Sequence, residues 1–352
     1  MARYWVGGTG TWDATTTTNW SATSGGAGGA SVPTSTDDVI FNSASSSGSY
    51  TVTGGVSGAF PCQSLTMNAP ASGTLSFNGS SSIFQIYGNL TIAASGVSTS
   101  AFPAFFYAST TQTVTTNNVS IASIQTSGSG GISLGSDITC TGGITVNQGT
   151  FTSNNYAINS PFNATGATAK TVTLGTSTIT CTGTGAQVNL TGTNTTLSAA
   201  SATFTFTNAG TKTLSCGVNA FSLGTVRNSG AGALTIASST GVTVTIGTIN
   251  NSVTPSAFTF TSGATYAVTN FNVNGTAGNL VTIIASTAGT AATLSKSSGI
   301  VSSDYLSIRD STATPTSLTW YAGANSTNVS NNSGWIFTAP PAASTGNFFL
   351  MM

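Results

Sequence analysis

The chain has 352 residues but only six Lys or Arg, six Asp, no histidine and no glutamate, and it carries no net charge. Most of the side chains that move protons in enzymes are therefore absent, and the scattered cations form no stripe that could neutralise phosphates, so no nucleic acid is expected as a partner. The low charge does not signal disorder, because 39% of the residues are hydrophobic and 18 are Phe, enough to build a core.

Residues 1–58 read as a Trp-rich N-terminal head, holding Trp5, Trp12 and Trp20. In this head VPTSTDDVIFN (32–42) predicts a Pro-initiated turn leading into a strand, with Asp37 and Asp38 bonding turn amides. The opening MARYWVGG lacks the basic and apolar regions of an export leader, and no apolar run is long enough to span a bilayer, so no membrane insertion is expected.

Residues 59–300 form a repetitive body without tryptophan. Runs such as SLTM (64–67), TLSF (74–77), FQIYGNLTI (84–92), KTVTL (170–174), ATFTFT (202–207) and GVTVTIGTI (241–249) alternate apolar residues with Thr or Ser, which is strand periodicity. Gly, Asn and Ser punctuate them every few residues. LGSDITCTGGITV (134–146) returns as LGTSTITCTGTGAQV (174–188), KTVTLG (from 170) as KTLSCG (from 212), and NLTIAASG (89–96) as ALTIASSTG (233–241). A spacing of roughly forty residues fits two coils of about twenty, and predicts an all-β parallel β-solenoid (β-helix) body with capping β segments at both ends. β-Sandwich domains are the alternative.

Cys62, Cys140, Cys181 and Cys216 are widely spaced, with no CxxC pair and no histidine to complete a metal site, so they read as small core residues. No metal, no cofactor and no catalytic residue is expected. Residues 301–338 form a C-terminal capping segment with Trp320 and Trp335, so that Trp5, Trp12, Trp20, Trp320 and Trp335 are the expected capping residues. Residues 339–352 are an apolar tail in which Pro340 and Pro341 precede Phe348, Phe349, Leu350, Met351 and Met352, the expected interface or anchor.

The opening RYWVGGTGTWDATTTTNWSATSGGAGGASVPTSTDDVIFN, the closing DYLSIRDSTATPTSLTWYAGANSTNVSNNSGWIF and the ITCTGTG-like coils together resemble Thr/Gly-rich β-helical virion structural proteins of tailed, especially marine, bacteriophages. The likeness covers nearly the whole chain and is more specific at its ends than in the body. It implies a non-enzymatic virion surface protein, a head decoration or fibre or a tail fibre, made in the host cytoplasm and adhering to the host surface. The implied partners are further copies of the chain in a homotrimer, capsid or tail proteins, and a host surface glycan.

Two other readings stay open. A glycan-depolymerising tailspike needs a pair of carboxylates across a groove, and Asp304 and Asp310 flank one strand in SSDYLSIRDS, where turn capping and an Arg309–Asp310 pair explain them better than catalysis does. A free ice-binding or adhesive solenoid would use outward Thr-x-Thr rows such as Thr203, Thr205, Thr207 and Thr243, Thr245. Tyr87, Tyr107 and Tyr156 are the aromatic positions that could stack on sugars.

Overall fold

A computed structural model describes residues 1–55, 58–79, 83–317 and 319–341. Among them there is no helix, and the strands form a parallel β-solenoid of about 12 turns. Each coil contributes up to three short strands, one to each of three faces, and every face is a ladder of parallel pairings between successive coils. In one central coil the faces are represented by Gln112–Thr115 (face 1) and by the two ends of Ile121–Thr126 (faces 2 and 3).

The alternation in sequence becomes alternation between lumen and solvent. On face 3 the inward residues stack in one register column: Phe60, Phe84, Ala104, Ile124, Ile144, Phe162, Val188, Leu214, Ile236, Phe260 and Ala285. None is more than 2% exposed. Face 2 builds a similar column from Ile138, Ile158, Ile179, Phe204, Val226, Ile249 and Phe271. Face 1 stacks Val39, Leu65, Leu90, Val114 and Leu134. The core is thus a filled tube of aliphatic and phenyl side chains, each packed on its counterparts roughly 4.8 Å above and below.

Turns carry the polar chemistry. Asn117, Asn118, Asn154 and Asn155 take left-handed backbone angles (φ 49°, 62°, 51° and 66°), which Asn tolerates better than other non-Gly residues. Their amides also clamp neighbouring coils: Asn117 Nδ2 donates to Ile92 O at 2.7 Å, and Asn154 Nδ2 to Leu134 O at 2.7 Å. Asn208 and Asn332 repeat the device on Thr182 O and Ile308 O.

Coil length varies: 18 residues separate the paired Ile144 and Phe162, and 26 separate Phe162 and Val188. The sequence repeats divide accordingly. Ile138 and Ile179, from the two ITC segments, stand in one column two coils apart, as the forty-residue spacing predicts. The KTVTLG and KTLSCG segments do not superpose, because Lys170 starts a face 1 strand and Lys212 a face 3 strand. NLTIAASG and ALTIASSTG are likewise split between face 1 and face 3. What repeats there is a strand with its turn, not a whole coil.

The parallel ladders run through residues 58 and 300 without interruption. Ala2–Trp5 pairs in parallel with Asp38–Phe41, and Gly10–Trp12 with Tyr50–Gly54. Residues 13–37 make an excursion whose strand Trp20–Ser21 folds back antiparallel onto Ala2–Trp5. At the other end Val301–Ser302, Trp320–Tyr321 and Trp335–Ile336 pair in parallel as a separate three-stranded sheet.

Truncating an inward residue should open a cavity that close-packed coils cannot refill. Phe162→Ala is expected to cost about 3–5 kcal/mol, whereas Thr145→Ala, outward on the adjacent strand, should change stability by no more than about 0.5 kcal/mol. Thermal unfolding followed by circular dichroism of both variants checks the assignment of faces.

Candidate functional site

All six aspartates accept hydrogen bonds from backbone amides, Asp38 from the first position of the strand Asp38–Phe41 and the others in turns and loops. Asp13 accepts from Thr15 N and Thr16 N, Asp37 from Thr34 N, and Asp38 from Ser64 N. Asp137 accepts from Ala157 N, Asp304 from Tyr305 N and Asn325 N, and Asp310 from Gly289 N. Asp304 and Asp310 lie on either side of the strand Leu306–Arg309. Asp304 is also bonded by Asn325 Nδ2 at 2.7 Å, and Asp310 by Asn331 Nδ2 at 2.7 Å. Arg309 Nε lies 3.2 Å from Asp310 Oδ2 as an ion pair without hydrogen-bond alignment.

Burial opposes the charge on Asp304, but the Asn325 side chain and the Asn325 and Tyr305 amides outweigh it and hold its carboxyl below the usual range. The same balance applies to Asp37, where burial is overcome by the Thr34 hydroxyl and amide, the terminal ammonium and Arg3. For Asp13 the Thr16 and Thr15 amides lead the downward shift.

The four thiols and two of the lysines are enclosed within the rod. Cys62, Cys140, Cys181 and Cys216 are free and buried, and burial pushes the last three thiols up to about 12. Among the described residues no cluster of metal-ligating side chains occurs. Lys212 is fully buried, with Nζ donating to Asn208 O at 2.6 Å and Gly232 O at 3.0 Å, and Lys170 Nζ donates to Thr168 O at 2.7 Å. Burial lowers both amine pKa values.

The tryptophans fill the two ends of the lumen. Trp20 packs edge-on against Trp5 and Trp12, each with centroids 5.1 Å away, and Trp12 contacts Phe84 at 5.4 Å. At the far end Trp320 meets Trp335 at 5.2 Å and Phe271 at 5.7 Å. Trp335 Nε1 is anchored on Ser311 Oγ. The expected anchor, Phe348, Phe349, Leu350, Met351 and Met352, lies outside the described residues, whereas Pro340 and Pro341 lie within them.

The outward side of face 3 carries the most distinctive chemistry of the rod surface, on half-buried side chains. Pro61, Gln85, Phe105 and Gln125 form one column across four coils. Beside it, Tyr87 and Tyr107 on adjacent coils stack with centroids 5.9 Å apart and ring planes 29° from parallel. Pro103 and the 42%-exposed Ile83 extend the patch. No charged residue occurs between Asp38 and Asp137, so the strands that build this patch are uncharged. Strand parity explains the arrangement: in Phe102-Pro-Ala-Phe-Phe-Tyr107, residues 102, 104 and 106 point inward, leaving Pro103, Phe105 and Tyr107 outward. Tyr156 stands apart in the turn after Asn155 and packs against the core. Sequence reading finds Tyr87 and Tyr107 but misses Phe105, which only the parity of its strand separates from Phe106.

Comparison with protein-family models, curated proteins and solved structures finds no match to this chain.

Two expectations follow. The thiols should resist Ellman's reagent in native buffer and react fully only after denaturation, because burial both shields the sulfurs and suppresses the thiolate. Asp13, Asp37 and Asp304, with folded pKa values below their unfolded ones, contribute stability that is present above the unfolded pKa near 4 and lost as pH falls through the folded value. Acid titration of unfolding should show a loss below about pH 4, and Asp304→Asn should make that loss smaller.

Proposed function

We propose that the chain is a non-enzymatic structural rod on the surface of a tailed-bacteriophage particle, a head decoration or fibre or a tail fibre, that adheres to the host surface. The observation that carries adhesion over catalysis is the contrast between the six aspartates, each bonded to a backbone amide, and the uncharged, partly exposed aromatic patch on the outer side of face 3. A glycan-cleaving spike needs two carboxylates free to face a substrate. The resemblance of both chain ends to phage β-helical proteins supports the virion setting, with assembly in the host cytoplasm. A homotrimer is part of this reading, since a slim uncharged rod gains by burying its sides against copies of itself.

A second reading has its own observation. Outward threonines form register columns such as Thr243, Thr265, Thr293 and Thr312, with Thr245, Ala267, Ser295 and Thr314 alongside, so a free ice-binding solenoid is the competing function. Thermal hysteresis of the purified protein would favour it.

Mass spectrometry of purified particles should find the chain at structural stoichiometry, and its absence would overturn the virion reading. Incubation with host surface polysaccharide should release no new reducing ends. Release that disappears in Asp304→Asn or Asp310→Asn would establish the depolymerase instead. Light scattering should return a trimer, and a stable 34.8 kDa monomer would refute that part.

A further inference from the structure

The aromatic patch is not isolated. Ser127 follows Gln125 on the next coil, its amide bonded to Phe106 O at 2.7 Å, and its hydroxyl receives Gln125 Nε2 at 3.3 Å. Gln148, one coil further, donates Nε2 to the carbonyl of Ser127. Gln148 is also the near wall of a groove of about 360 Å³ that continues along the same corner of the rod, lined by Ser129, Thr150, Thr171, Asn194 and Thr196. Thr150, Thr171 and Thr196 are register neighbours on face 1, so the groove floor is a ladder of hydroxyls at coil spacing. Lys170 is the single charged residue lining it, and its ammonium is turned inward onto Gly166 O and Thr168 O, with the residue 3% exposed.

Tyr87, Tyr107, Ser127, Gln148 and Asn194 therefore trace one strip along the rod axis. Five coil steps at about 4.8 Å give it a length of about 24 Å. Its chemistry changes along its length, from half-buried aromatic rings to amides and hydroxyls, and it presents no exposed charge. Aromatic faces take the C–H faces of sugar rings, while side-chain amides and hydroxyls both donate to and accept from sugar hydroxyls. An acidic polymer would meet no exposed cation here, and a protein surface would find more hydroxyl and amide than a desolvated interface core usually holds.

We infer that this strip binds a linear, uncharged polysaccharide lying parallel to the rod axis, with its sugar rings on Tyr87, Tyr107 and Phe105 and its hydroxyls in the groove between Gln148 and Asn194. The inference rests on the adhesion reading and supplies its ligand class and site. Because the strip spans several coils, affinity grows with chain length until the ligand fills it.

The test is affinity electrophoresis and calorimetry of the full chain with linear neutral glucans, mannans and galactans of graded length, with polygalacturonate as the charged control. At least one neutral polymer should bind, long chains more tightly than short ones, and polygalacturonate should not. The double variant Tyr87→Thr, Tyr107→Thr keeps strand-forming residues and should lose about tenfold or more in affinity, the order of a stacking contact worth 1.4 kcal/mol or more. Gln148→Ala should weaken long chains and leave short ones unchanged, and it tests the groove by itself should the tyrosine variant misfold by circular dichroism. Failure of every neutral polymer to bind, preference for the polyanion, or unchanged affinity in a folded double variant would each overturn the inference. So would a double variant that shifts the oligomeric state, which would make the patch a contact between copies. These results leave the virion reading to its own test: a chain found in particles whose strip binds no glycan keeps that role and loses this site.

Discussion

Parallel pairing between successive coils is the interaction on which everything else in this molecule depends. A coil's strands are too short to hold themselves, and their N–H and C=O groups find partners only in the coils above and below. The same registration that pairs the backbone places like side chains over like, so the face 3 column from Phe60 to Ala285 and the outward patch of Pro61, Gln85, Phe105 and Gln125 are two sides of one ladder. Stability is then a sum of neighbour-to-neighbour interfaces. A coil may lengthen from 18 to 26 residues, as around Phe162, because the extra residues leave through a turn and rejoin in register.

Such a stack has a problem at each end, where a coil lacks one neighbour. At the start the chain answers with its own excursion: Trp20–Ser21 pairs on the free edge of Ala2–Trp5, and Asn19 Nδ2 caps Thr11 O at 3.1 Å. The three tryptophans then fill the lumen below it. At the other end Trp335–Ile336 covers Trp320–Tyr321, while Thr327–Ser330 pairs only with Leu306–Arg309 among the described residues and keeps all four residues exposed. The two ends are therefore chemically unlike.

The fold was legible in the sequence because its period is two almost everywhere and its turns are marked by Asn and Gly. Which face a strand joins was not. Lys170-Thr-Val-Thr and Lys212-Thr-Leu-Ser have the same local preference, and their separation between face 1 and face 3 depends on how many strands intervene, a count set by turn lengths that carry no distinct pattern. The candidate site was partly legible for the same reason. Tyr87 and Tyr107 announce themselves as amphipathic residues in an apolar run, but their stacking, and the outward placement of Phe105 beside Phe106, exist only once register across coils is known.

The scarcity of charge also acquires a structural meaning. Ion pairs among the described residues occur only at the ends, from Met1 and Arg3 to Asp37 and from Arg309 to Asp310. In the body the cations are satisfied by neutral oxygens: Lys170 and Lys212 by turn carbonyls, Arg227 Nε by Asn250 Oδ1 at 3.1 Å and Lys296 Nζ by Thr269 O. Salt screens exposed charges and leaves buried apolar contacts and backbone ladders almost untouched. A rod held in this way keeps its geometry, and the spacing of any strip of side chains along it, across a wide range of ionic strength. Recognition through hydroxyls, amides and aromatic faces is the mode of binding that such a surface leaves open, because it is the chemistry that does not depend on charge.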